Sequence, residues 1–315
     1  MNIRFSSTSQ LALVLIGFIS GCDFPATSEN TKSHTEATAR PIVYATSFVV
    51  ADFARELSGD NIELQLVIPE TSNSIDWKPA LDDVRRIQSA DLLLLNGAGY
   101  EPWLQTLSLP KSRLVDTSAG YTDQLIAIQN SVTHQHGPKG RDAGGPKVWA
   151  TWLDPELATA QLRVIEGRLV RLKPDSASSI AANAALLANQ LDKLNTHVQQ
   201  LQKQTAELQV TVIVDGPFYD YLIRRLGWKL RPASTPGIPT NSIDPPPDAS
   251  LTLCFVNRAE NSPNSDTLRQ TMKSAGVPIV EIDLCESLPT DSDSCVQAFE
   301  SNLKRIEAAV QQITK

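Results

Sequence analysis

An acid and an indole, Asp76 and Trp77, stand just before Lys78-Pro79 in the stretch ETSNSIDWKP (residues 70–79), directly after an apolar run that reads as a strand. Loops leaving the carboxyl ends of strands in an open α/β sheet are where such folds hold ligands, so this loop is the first place expected to meet one. Two further donors, His134 and His136, lie two residues apart in a polar, Gly/Pro-rich segment between Ile126 and Trp149 that reads as a loop. Imidazoles at i and i+2 on a loop give at most weak chelation. Cys254, Cys285 and Cys295 include no Cys-x-x-Cys pair, which speaks against a thiol metal site and leaves three disulfide pairings open. There is no Gly-rich phosphate loop, HExxH or GxSxG, and no histidine stands where it would orient a nucleophile. The chain is not expected to be an enzyme.

These residues sit in a chain of 315, long enough for two lobes with a core each. With 41% apolar and 20% charged residues the composition is that of a globular protein. A formal charge of −7 and the absence of a long Lys/Arg cluster argue against nucleic acid as a partner. At the N-terminus, Arg4 precedes an apolar run from Leu11 to Ile19, too short for a permanent span and suited to the core of an export signal. The sequence ISGC, ending at Cys22, resembles the lipobox of bacterial lipoproteins. That resemblance makes residues 1–21 a signal peptide, implies acylation of Cys22, and anchors the protein at the extracytoplasmic, periplasmic face of a membrane. Asp23 would favour the inner of two membranes. The plain alternative is a cleavable signal followed by an incidental cysteine. Residues 22–40, rich in Ser, Thr, Ala and charge, read as a flexible tether that includes His34.

Beyond the tether, a β-branched run at Ile42–Thr46 leads into apolar residues at helical spacing, Phe48, Val49, Phe53 and Leu57. IELQLVI, LLLL (residues 92–95) and SRLVDTS read as further strands. ALDDVRRIQSA reads as a helix, and a second helix is expected near Pro102. Strands alternating with helices imply parallel α/β units. From Pro174 the chain runs to Gly216 without Gly or Pro. Ile180, Leu187, Leu191, Leu194, Val198 and Leu201 mark one face of a helix of more than thirty residues. It is expected to be a rigid backbone between lobes, with a coiled-coil dimer as the rival arrangement. His197 lies on its polar side and is expected to be solvated. A second α/β unit begins at Val210. The expected organisation is an N-terminal lobe over 41–173, a linking helix over 174–208 and a C-terminal lobe over 209–315.

ATSFVVADFARELSGD, NGAGYEPWL, WLDPELA, YLIRRLGW and the long helix resemble, in order and spacing, the periplasmic solute-binding proteins of zinc and manganese ABC importers, over residues 41–315. The resemblance implies two pseudo-symmetric parallel-sheet lobes clamping a divalent ion for delivery to an ABC permease, with small lobe movements limited by the linking helix. A monomer is expected. Metal ion transport is the implied function and a divalent metal ion the implied cargo.

Carried over position by position, the family's ligands are missing. The family's HDYEP is matched by IDWKP, which leaves Ile75. Its HVWLDP is matched by ATWLDP, which leaves Ala150. Its TSHPAFGYL is matched by VDGPFYDYL, which leaves Gly216, and its second-lobe acid is matched by Asn257. Ile, Ala and Gly side chains offer no electron pair and an amide offers no charge, so zinc is not expected at the usual site.

Three readings follow. The cleft takes another ligand through Asp76, Trp77, Trp152, Asp215, Phe218 and Asn257, the two carboxylates and amide suiting Mn²⁺ or Ca²⁺ and the aromatic rings an organic molecule. Alternatively, metal is gathered by the remnant loop histidines His134 and His136. In the third reading the scaffold is a ligand-free structural or protein-interaction lipoprotein. Trp77, Trp152 and Phe218 also suit simple packing, and Asp154 before Pro155 a helix cap. An acid/base couple of Asp76 and Asp215 is the remaining hydrolytic arrangement, and nothing in their spacing favours it.

Overall fold

The computed structural model describes residues 39–69, 77–128, 146–233, 249–259, 263–287, 289 and 292–313. Cys22, Ile75, Asp76, His134 and His136, and the Pro-rich stretch through Pro245–Pro247, lie outside them.

Four short parallel strands build the first lobe: β1 (Ile42–Ala45), β2 (Glu63–Leu66), β3 (Leu92–Leu95) and β4 (Leu114–Asp116), in the order β2-β1-β3-β4. β3 is LLLL and buried at every position, as an inner strand covered on both faces must be. Register runs Tyr44 to Leu93 and Leu94 to Val115. Helix α1 (Phe48–Ser58) starts where the Ser47 hydroxyl accepts from the Val50 amide, and α2 (Leu81–Ser89) connects toward β3. The helix expected near Pro102 is a 3₁₀ turn, Pro102–Thr106. Thr106 donates its hydroxyl to the Trp103 carbonyl at 2.7 Å, occupying an acceptor that a continuing helix would use.

Two helices follow, α3 (Pro155–Leu172) and α4 (Ala177–Gln204). Asp154 caps α3 by accepting from the Glu156 amide at 3.0 Å, and Pro155 occupies the first turn, where its missing N–H costs nothing. α4 has 28 residues and spans about 42 Å. With the 3₁₀ turn Pro174–Ser176 that leads directly into it, the helical stretch runs 31 residues. Its apolar stripe, from Ile180 through Leu187, Leu191, Leu194 and Val198 to Leu201, is buried within this one chain, against α1 and α3 on one side. Each large aliphatic side chain so buried contributes about 1.5–3 kcal/mol. A coiled-coil partner would find this stripe taken. His197 is not simply solvated: its Nε2 lies 3.2 Å from Glu307 Oε2.

The second lobe repeats the first. β5 (Val210–Val214), β6 (Lys229–Pro232), β7 (Leu251–Asn257) and β8 (Ile279–Ile282) are all parallel, ordered β6-β5-β7-β8. They are accompanied by α5 (Asp220–Leu226), α6 (Pro263–Ser274) and α7 (Cys295–Ile313). α4 also packs on α5 and α7, so one helix serves both lobes. Strand β6, KLRP, is a polar edge strand that carries no hydrophobic alternation to announce it.

Candidate functional site

In each sheet the strand order reverses between the first and third strands, which opens a crevice beyond their carboxyl ends. In the first lobe that crevice lies past β1 and β3 and is filled by a side chain of the protein itself. Glu101 is 8% exposed. Its Oε1 accepts from the Asn96 amide at 2.7 Å and the Thr46 hydroxyl at 2.5 Å, and its Oε2 from the Gly97 amide at 3.1 Å. Burial pushes its carboxyl up to about 7, although these hydrogen bonds pull the other way. Asn96, fully buried, donates to the Gly97 and Trp149 carbonyls, both at 3.1 Å, and accepts from Gln161 at 3.3 Å. The turn that brings Glu101 back has φ of 76° at Gly97, where a Cβ would come within 1.9 Å of Asp116 Oδ1, so only glycine fits.

The second lobe uses the same device. Asp215, after β5, accepts from the Tyr219 hydroxyl and from the Asn257 amide at the end of β7, both at 2.8 Å. Ser265 Oγ stands 3.4 Å from the same carboxylate. Both ends of the Asn257 side chain are engaged: Oδ1 accepts from the Ala259 amide at 3.1 Å and Nδ2 donates to Glu286 at 3.2 Å.

Aromatic rings occupy the seam between the lobes. Tyr100 lies 5.2 Å from Trp149 and Trp149 lies 5.4 Å from Trp152. Phe218 stands 5.2 Å from Trp149, and Tyr219 carries the series on to Phe255 at 5.9 Å and 75°. Such tilted and edge-on pairs are worth about 0.5–1.5 kcal/mol each beyond their buried area. Trp152 is 1% exposed and donates its indole N–H to the Leu284 carbonyl at 3.1 Å. Tyr221 donates to the Val148 carbonyl at 3.0 Å and accepts from the Ile126 amide at 3.1 Å. Arg225 reaches Glu156 at 2.6 Å and lies 3.5 Å from Asp154. Burial pushes the Asp154 carboxyl up and Arg225 draws it back down.

Ala150 is fully buried beneath this seam. A Cβ at Gly216 would lie 2.4 Å from the Phe218 ring, so the phenyl group occupies the place where a side chain at 216 would begin. Trp77 is half-buried and meets Trp103 edge-on at 5.1 Å, a packing contact of the first lobe. Phe218, Trp149 and Trp152 are brought together, as are Asp215 and Asn257; Trp77 contacts none of these in the rings described. Among the described residues no group of three or more His, Cys, Asp or Glu side chains is in place to hold a metal ion. Among the described residues, Asp215, Asn257 and Glu286 do not by themselves make up a zinc donor set. Sequence reasoning missed Glu101, Trp149 and Glu286. For Glu101 a signal existed: an acid six residues past the end of an all-leucine strand, beyond a Gly-Ala-Gly turn.

A family model described as zinc-uptake complex component A, periplasmic (ZnuA), matches residues 43–309. The manganese-binding lipoprotein MntA of Halalkalibacterium halodurans is 25% identical over 281 residues, 86% of each chain. The metal ABC transporter substrate-binding lipoprotein FimA of Streptococcus parasanguinis is 20% identical over 295 residues, 89% of this chain and 92% of its own. Among solved structures, the Streptococcus pneumoniae AdcAII protein superposes with a TM-score of 0.66 at 20% identity, covering 87% of this chain and 99% of that one. The metal-dependent lipoprotein YcdH from Bacillus subtilis gives 0.65 at 19%, covering 85% and 98%. The fold is shared with both.

Proposed function

Because the chain belongs to the ZnuA family of periplasmic zinc-uptake components, we propose that it is an extracytoplasmic substrate-binding component of a metal ABC importer whose interlobe metal position has been replaced by packed aromatic rings. Its relatives include a manganese-binding lipoprotein and a metal ABC transporter substrate-binding lipoprotein, which supports metal import as the ancestral role and an ABC permease as the partner. Acylation of Cys22 would tether the mature protein to the membrane face. No helix among the described residues is long and apolar enough to cross a membrane.

One observation supports this reading above the others: the Phe218 ring fills the space above Gly216 and rests on Trp149. A seam closed by its own side chains does not need an ion to bring the lobes together. Metal analysis of protein purified without chelators, together with melting in Zn²⁺, tests this. The expected result is no co-purifying zinc and no rise in Tm at millimolar zinc, where a ligand of micromolar Kd, then at about a thousand times its Kd, would contribute about 4 kcal/mol. Stoichiometric zinc would overturn the reading.

A second reading is supported by Glu286, whose carboxylate meets Asn257 beside a cavity of about 110 Å³. Oxygen donors at that point suit Mn²⁺ or Ca²⁺ rather than zinc. A rise in Tm with either ion, lost in Glu286→Gln, would establish it in place of a ligand-free seam.

A further inference from the structure

Three buried cysteines remain in the folded part of the chain, and the sheet sorts them. Along β7 alternate side chains face opposite sides of the sheet. Cys254 and Val256 belong to a small apolar cluster with Leu268, Met272 and Val277, whereas Leu253 and Phe255 belong to the main core, which also holds Cys285 and Cys295. A bridge from Cys254 to either of the others would have to pass through the sheet. Cys285 and Cys295 are ten residues apart on one side of it, with Cys285 Sγ 4.0 Å from the Cys295 carbonyl oxygen.

The backbone at both positions is held. The Cys285 amide donates to Asp283 Oδ1 at 2.8 Å. The Cys295 amide, at the start of α7, donates at 2.8 Å to Asp52 Oδ2 from α1 of the other lobe. Asp52 is also ion-paired with Arg55. We propose that Cys285 and Cys295 form a disulfide in the exported protein, leaving Cys254 as a free thiol, and that this bond fixes the segment through which the second lobe grips the first.

That segment is short and engaged on both sides of the bond. Leu284, immediately before Cys285, receives the Trp152 indole, and Glu286, immediately after it, receives Asn257. The proposal rests on the extracytoplasmic location proposed above, because disulfides persist in oxidising compartments. Formation removes two hydrogens from the chain. One thiolate attacks a disulfide donor, a glutathione-type or protein disulfide, to give a mixed disulfide. The second thiolate displaces the donor's remaining thiol, so the donor leaves as two thiols. Burial pushes both thiols above their usual range, so attack is slow once the core has closed. The bond therefore forms before final packing and resists external reductant afterwards.

The test uses the full chain, both as recovered from producing cells and as refolded in a mixture of oxidised and reduced glutathione. After alkylation in denaturant without reductant, a trypsin digest yields one peptide, residues 274–304, that contains both cysteines. Cleavage at Glu286 then leaves two pieces joined only if the disulfide exists. The expected result is joined pieces, an alkylated Cys254, the same linkage in Cys254→Ser, and a Tm several degrees lower in Cys295→Ser. Alkylation of both Cys285 and Cys295 in the refolded chain, or a link to Cys254, overturns the pairing. Linkage in the refolded chain but not in the cell-derived one upholds the pairing and overturns the location instead.

Discussion

The Phe218 ring stands 5.2 Å from the Trp149 indole at an angle of 51°, in the space a side chain at position 216 would need. Phe218→Ala removes a half-buried ring from this seam and is expected to cost about 2–3 kcal/mol, just below the range for a fully buried phenylalanine. Urea unfolding measures it; an unchanged midpoint would show that the seam contributes nothing.

Gly216→His alone is expected to leave zinc unbound, because Ile75 and Ala150 still offer no electron pair and the new imidazole must displace Phe218. Titration calorimetry reads this directly. Micromolar zinc binding by the single variant would mean that the remaining ligands come from elsewhere.

Glu101 makes stability depend on pH with an inverted sign for an acid. Its folded carboxyl titrates at about 7 against an ordinary value of 4.5, so the native state holds a proton that the unfolded chain gives up. The contribution is fully present below about pH 4.5 and is lost as pH rises through about 7, with a swing of roughly 3 kcal/mol. Glu101→Gln should be less stable throughout, since its NH₂ faces backbone N–H groups, and should flatten this part of the profile. Denaturant midpoints from pH 4.5 to 7.5 decide it; parallel profiles for the two proteins would place the titration elsewhere.

Trp152→Phe keeps a large ring but strips the Leu284 carbonyl of its donor. A buried acceptor left unpaired costs about 1–3 kcal/mol. The loss should show both in Tm and in faster amide exchange around Leu284 and Glu286. Exchange that changes only near residue 152 would argue against a coupling between lobes.

Cys22→Ala should move the protein from the membrane fraction to the soluble one. Retention at the membrane would rule out acylation as the tether.

Regular periodicity made much of the architecture legible. The stripe from Ile180 to Leu201 and the run Leu92–Leu95 each have one sensible structural reading, and both were found where spacing put them. Strand β6 escaped because an edge strand of four residues, half of it charged, needs no apolar alternation. The 3₁₀ turn at Pro102 escaped because a threonine hydroxyl competing for a helix carbonyl leaves no periodic trace. At the seam, residue types alone say that Ala150 and Gly216 bring no side-chain donor. They cannot show what stands there instead, since the position of the Phe218 ring depends on Trp149, which is distant in sequence. Glu101 was hidden for the same reason: its partners Thr46 and Asn96 each follow the end of a different strand.

α4 lays a continuous hydrocarbon face across both halves of the protein, and none of the side chains described at the crevices belongs to it. Folding competence and cargo recognition therefore reside in separate sets of residues. The second set can change from one member of the family to another while the first keeps the protein intact.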